Sequence, residues 1–133
     1  MGLRRIVLWL SCAVFAAVDS AFVACPVRLA SLVDIDLPTG TARIEFAAMY
    51  GGLELGVAAF LAYCASRPER ARIGLVASGC AAAGFAITRA GGLLLAGPGR
   101  PILWAMLTIE LLASGLSFWA ALSTSPVHER REA

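Results

Sequence analysis

Residues 44–65 read IEFAAMYGGLELGVAAFLAYCA. The stretch is long enough to cross a bilayer, which takes about 20 mostly apolar residues. It nevertheless carries two carboxylates, Glu45 and Glu54, and three glycines, Gly51, Gly52 and Gly56. An ionised carboxylate in hydrocarbon is costly unless it is paired or turned to the protein interior. A chain with such a segment must supply neighbours that shield it.

The rest of the sequence supplies them. Three further apolar runs cover residues 6–24, 73–96 and 102–122. The chain is 59% hydrophobic and 15% charged, against about 45–50% and about 25% in a soluble domain. Its mean hydropathy is +0.80. The expectation is an all-α, four-helix transmembrane bundle forming one membrane domain over residues 1–133. Its spans are 6–24, 44–65, 73–96 and 102–122, with an outer loop at 26–43 and a polar tail at 123–133. The first run also has the marks of a signal peptide: a basic start, an apolar middle and FVAC before Pro26. Asp19 inside the run, Phe22 in place of a small aliphatic and Pro26 after the cysteine argue for a retained helix. Pro26 should stop that helix. LASLVDIDL, residues 29–37, is amphipathic enough to lie on a membrane surface, or it is a solvated loop. AGPGRP, residues 96–101, reads as a tight turn.

Arginines set the orientation. One side collects Arg4, Arg5, Arg67, Arg70, Arg72, Arg130 and Arg131; the other collects Arg28, Arg43 and Arg100. The richer side is expected to be cytoplasmic, and four spans then place both termini there. Trp9, Tyr63 and Trp119 fall at that interface and Trp104 at the outer one, as an aromatic belt requires.

Several functions are set aside. All eleven basic residues are arginine, but they form no basic face with interleaved aromatics, so no nucleic acid is expected as a partner. Cys12, Cys25, Cys64 and Cys80 contain no C-x-x-C pair, and His128 is the single histidine. No metal site or cofactor is expected. The chain lacks a phosphate-binding loop and an evident nucleophile–base pair, so it reads as a non-enzyme.

Charge at membrane depth is the remaining signal. With about 1.5 Å of rise per residue, Glu54 and Glu110 both reach the midplane from the outer side. Arg89 climbs from the cytoplasmic side into the outer half, as does Asp19, and Glu45 sits at the outer mouth. A lone arginine in lipid is expensive, and its planar fork suits carboxylates. Arg89 is therefore expected to pair with Glu54, Glu110 or Glu45 inside the bundle. Ala47, Tyr50, Glu54 and Ala58 share one stripe at helical spacing. Ala48, Gly52 and Gly56 form another, suited to close helix packing. Gly74, Ser78 and Ala82 form a small ridge on the third run, and Glu110, Ser114 and Ser117 share a face on the fourth.

R-x-E-x-x-A-x-Y-G-G-L-E-L-G, over residues 43–56, resembles the motif of a bacterial membrane family, domain of unknown function 4345. Arg89 and Glu110 match the family's late third-helix arginine and fourth-helix glutamate. The AGPGRP turn lacks the acid that members usually carry there. The resemblance extends distantly to DoxX-like four-helix proteins. It implies a short four-helix protein of the bacterial inner membrane and highlights Tyr50, Glu54, Arg89 and Glu110. It brings no activity with it.

Three readings of the Asp19, Glu45, Tyr50, Glu54, Arg89 and Glu110 cluster stay open. It fixes helix register, it lines a pocket for a small lipophilic ligand, or it forms a proton path in which Glu54 or Glu110 titrates. The corresponding functions are a small-ligand binder or accessory membrane subunit, and a small proton-coupled transporter. Expected partners are the lipid bilayer, a small lipophilic ligand, and a second copy of the chain or another membrane protein.

Overall fold

The computed structural model describes residues 2–97 and 99–123. All regular structure among the described residues is helical. Five helices follow one another: α1 Leu3–Ala24, α2 Pro26–Leu32, α3 Gly40–Ala65, α4 Pro68–Ala96 and α5 Pro101–Leu122. All but the short α2 are long and apolar enough to cross a membrane. Helix α3 passes through a π turn at Ala48–Gly52, and α4 opens with a 3-10 turn at Pro68–Arg70.

The ends of these helices have local causes. Pro26 does break α1, but it also sits at the first position of α2, where its missing N–H costs nothing. The connection between α1 and α3 therefore contains about two helical turns. Helix α3 begins at Gly40 rather than residue 44, because the Thr39 side chain accepts the Ala42 N–H at 3.1 Å and caps it. Between α4 and α5, Gly97 and Gly99 take φ of 97° and 57°, the left-handed region open to glycine. The tail, with Arg130, Arg131 and His128, lies outside the described residues, as does Pro98.

Helix α1 packs on α3, and α4 packs on α5; α1 also touches α4 and α5, and α3 touches α4. The bundle is sealed at one end. There Val7, Leu8, Leu61, Cys64, Leu75 and Ala120 form the core. Two arginines complete the seal. Arg4 donates to the carbonyls of Ala120 at 3.2 Å and Ala121 at 3.4 Å, and also to that of Ser123. Arg5 donates to the carbonyl of Ala65 at 2.9 Å. The last carbonyls of α5 and α3 have no partner within their own helix, and a cation there also suits the helix dipole. Both described ends of the chain thus lie at this end of the bundle.

Small residues let the helices meet. The Gly74, Ser78 and Ala82 ridge is buried. Ser78 and Ser117 share a hydrogen bond of 3.3 Å, and Ser114 donates to the Gly79 carbonyl at 3.2 Å. A Cβ added at Gly74 would lie 2.6 Å from the Cys64 Cβ and 2.8 Å from Leu8 Cδ2. The outward faces are oily: Leu94 and Leu95 are 85% and 91% exposed.

Gly74→Val should lower stability in detergent by about 1–3 kcal/mol, the usual cost of overpacking. Gly56→Ala, whose Cβ would meet nothing within 4 Å, should leave the melting curve in place. Equal melting of the two variants would contradict this packing of α4.

Candidate functional site

Away from the seal, the helices enclose a cavity of about 630 Å³. Helix α1 contributes Phe15, Val18, Asp19 and Phe22 to its wall, and α3 contributes Phe46, Tyr50 and Glu54. Helix α4 adds Phe85, Thr88 and Arg89; α5 adds Leu103, Met106 and Glu110. Val33 and Ile35, from the connection between α2 and α3, roof it. Arg100 ties that connection down. It donates to the carbonyls of Ser31 and Leu32 at 3.2 and 3.1 Å and pairs with Asp34 at 3.2 Å.

Arg89 and Glu110 form the charged pair across α4 and α5. Arg89 Nε lies 3.0 Å from each Glu110 oxygen, and Nη2 lies 2.6 Å from Oε1. Their side chains are 20% and 13% exposed. Of the three carboxylates weighed as partners for Arg89, the structure selects Glu110. This fork geometry is the strong form of a carboxylate–guanidinium contact.

Asp19 has a different setting. It is fully buried, and no donor among the described residues reaches either of its oxygens. Its polar neighbour is the Glu54 carboxyl, within hydrogen-bonding reach. Carboxylates only accept, so a hydrogen bond between the two requires a proton on one of them. The sequence placed Asp19 at this depth but did not foresee an acid facing an acid.

A backbone approach brings the two acids together. In the π turn, the Leu53 N–H reaches back to the Ala48 carbonyl. Such turns recur at functional sites. Gly51, inside this turn, lies against α1: an added Cβ would sit 3.2 Å from both the Asp19 carbonyl and the Val23 nitrogen, and would run into the Val23 side chain. Tyr50, also in the turn, is half-exposed at the rim. Its ring stacks on Phe46 at 4.5 Å, and Phe22 lies 5.7 and 5.9 Å from Phe46 and Tyr50.

Three expected members stand elsewhere. Glu45 is exposed and does not line the cavity, because its turn of α3 points it outward at the helix mouth. Gly52 and Gly56 are also exposed, with no atom closer than 4.0 Å to a Cβ built on either. Of the three glycines expected to pack helices, only Gly51 does so within the chain. Ala48, Gly52 and Gly56 do share a face, but it is the exposed one.

A second cavity, of about 570 Å³, shares Phe15, Tyr50, Glu54, Phe85 and Thr88 with the first. It lies between α3 and α4, where exposed Met49, Leu53, Cys80 and Gly84 meet the outer surface. The aromatic lining of both spaces was not singled out from the sequence. A phenylalanine in an apolar run carries no signal that separates a cavity wall from a lipid-facing side chain.

Arg89→Leu should leave Glu110 without its partner and destabilise the protein in detergent by about 3 kcal/mol, the lower figure for breaking a buried pair. Arg89→Leu with Glu110→Gln should recover most of that loss in the same thermal melt. A single variant as stable as the parent would show that the pair contributes nothing.

Comparison with curated proteins finds no match, and neither does comparison with solved structures. A family model described as Domain of unknown function (DUF4345) matches residues 3–121. That span takes in α1 through nearly the whole of α5, with Asp19, Tyr50, Glu54, Arg89 and Glu110, so the chain belongs to the DUF4345 family.

Proposed function

We propose that this chain is a multi-pass protein of the bacterial inner membrane whose chamber binds a small lipophilic ligand, without enzymatic chemistry. One observation carries the reading. The cavity of about 630 Å³ has the size of a ligand site, about 300–1,000 Å³, and joins apolar walls to a few converging polar groups. A cluster that served only helix register would call for a closed, dry interior. The oily outward faces support a lipid surround, since soluble monomers rarely expose such patches.

Orientation follows from charge. The sealed end carries Arg4 and Arg5, and beside it Arg67 lies in the α3–α4 connection and Arg70 and Arg72 in the first turns of α4. That end is cytoplasmic in this reading, so the chamber lies toward the outer face. Exposed Trp9, Tyr63 and Trp119 lie toward the sealed end and Trp104 toward the other. Tyr63 also carries Arg70 over its ring at 4.2 Å.

A second reading, proton-coupled transport through Glu54, draws support from the buried Asp19 beside it. It calls for proton release from weakly buffered protein on addition of a panel of cations. Silence across the panel would remove it.

Native mass spectrometry of the detergent-purified protein tests the binding reading and also gives the oligomeric state. The expected result is a retained small lipophilic mass, lost on harsh activation. No retained mass, together with no saturable uptake of any lipophilic probe, would overturn it. Reporters fused to the two ends should both read as cytoplasmic.

A further inference from the structure

The chamber's charges do not balance. Arg89 is the one cation among the described residues on its wall, and Glu110 holds it through Nε and Nη2. That pair sums to zero. The other acids on the wall are Asp19 and Glu54. The described lining therefore holds three acids against one base. An anionic headgroup, whether carboxylate or phosphate, would meet two acids and an arginine already engaged.

Asp19 adds an independent observation. It is fully buried on the cavity wall, no N–H or hydroxyl group among the described residues donates to either oxygen, and its polar neighbour is another acid, Glu54. Buried polar atoms in native proteins almost always have partners, so an orphan needs an explanation. A bound cation or donor would supply one. The rings point the same way. Phe22, Phe46 and Tyr50 form one contiguous aromatic surface, and Phe15 and Phe85 line the same space. Aromatic faces attract cations, and they accommodate organic ammonium groups whose charge is spread over carbon.

We propose that the ligand is an organic cation with an apolar body, its charge seated against Asp19 and Glu54 and its body against the surrounding rings. This deepens the reading of the chamber as a lipophilic ligand site and rests on it. The second cavity, sharing Phe15, Tyr50 and Phe85 with the first, gives a bulky body room toward the outer surface between α3 and α4. Specificity in this arrangement comes from charge sign and not from a shaped hydrogen-bond code.

Matched hydrophobic ions separate the alternatives. Tetraphenylphosphonium, tetraphenylborate and the neutral triphenylphosphine oxide are compared by equilibrium dialysis against the purified full chain, with protein-free micelles as blank. The cation should bind at least about tenfold more tightly than the other two, since each tenfold is only about 1.4 kcal/mol. Asp19→Asn should abolish that preference while keeping the fold, because the new amide can donate to Glu54. Glu54→Gln should weaken the preference in the same direction. Equal binding of all three probes, or a preference that survives both substitutions, would overturn the cation assignment and leave the ligand-site reading standing. Binding of none would remove both.

Discussion

Neutralisation of Arg89 by Glu110 governs what the interior can hold. A guanidinium free in this chamber would attract anions and repel cations, and its desolvation would cost several kcal/mol. Engaged by Glu110 at 2.6–3.0 Å, it becomes part of the wall. The same contact ties α4 to α5 along one face of α5. Below it Ser114 and Ser117 reach the Gly79 carbonyl and Ser78. Hydrogen bonds of that kind in membranes average only about 0.6 kcal/mol each. The ion pair is thus the strongest polar link between these helices, and it stands where the bundle begins to open.

The two ends differ because their inward residues differ. At the sealed end small residues are interspersed with Leu8, Leu61 and Leu75, so the helices come close enough for Gly74 to sit against Cys64 and Leu8. At the other end the inward positions carry Phe22, Phe46, Tyr50, Arg89 and Glu110. Rings and charged chains hold the helices apart and leave space between them. Gly51 is the exception on that side, and its contact with α1 sets Asp19 beside Glu54. One glycine, where the sequence pattern offered three, therefore sets the geometry of the acid pair.

Much of this was legible in the residues. Apolar length and proline positions marked the four long helices, and the depth of Arg89 and Glu110 along opposed helices anticipated their meeting. The Glu110, Ser114 and Ser117 face and the Gly74, Ser78 and Ala82 ridge follow from α-helical spacing, which both helices keep. What escaped lies in α3, where helical spacing grouped the residues correctly but did not say which face turns inward. Glu45 before the turn faces out, and Gly52 and Gly56 face away from the other helices. The Thr39 cap escapes a reading that carries the loop through to residue 43. The aromatic wall could not be separated from lipid-facing residues, since burial in a cavity and burial in lipid select the same side chains.

The connection that roofs the chamber is held by two arginines, Arg100 near Val33 and Ile35 and Arg43, which donates to the Leu37 carbonyl at 3.2 Å. Arg100 spans from the start of α5 to Asp34 and to two carbonyls at the end of α2. Both members of its ion pair are at least half exposed, and pairs so placed contribute about 0–1 kcal/mol and weaken further in salt. Lifting Val33 and Ile35 off the cavity therefore costs little beyond re-wetting two aliphatic side chains. Parting α1 from α3 at Gly51 would sacrifice a whole packed interface. On the proposed binding reading, ionic strength acts on Arg100 at the roof, while the helical walls stay where packing put them.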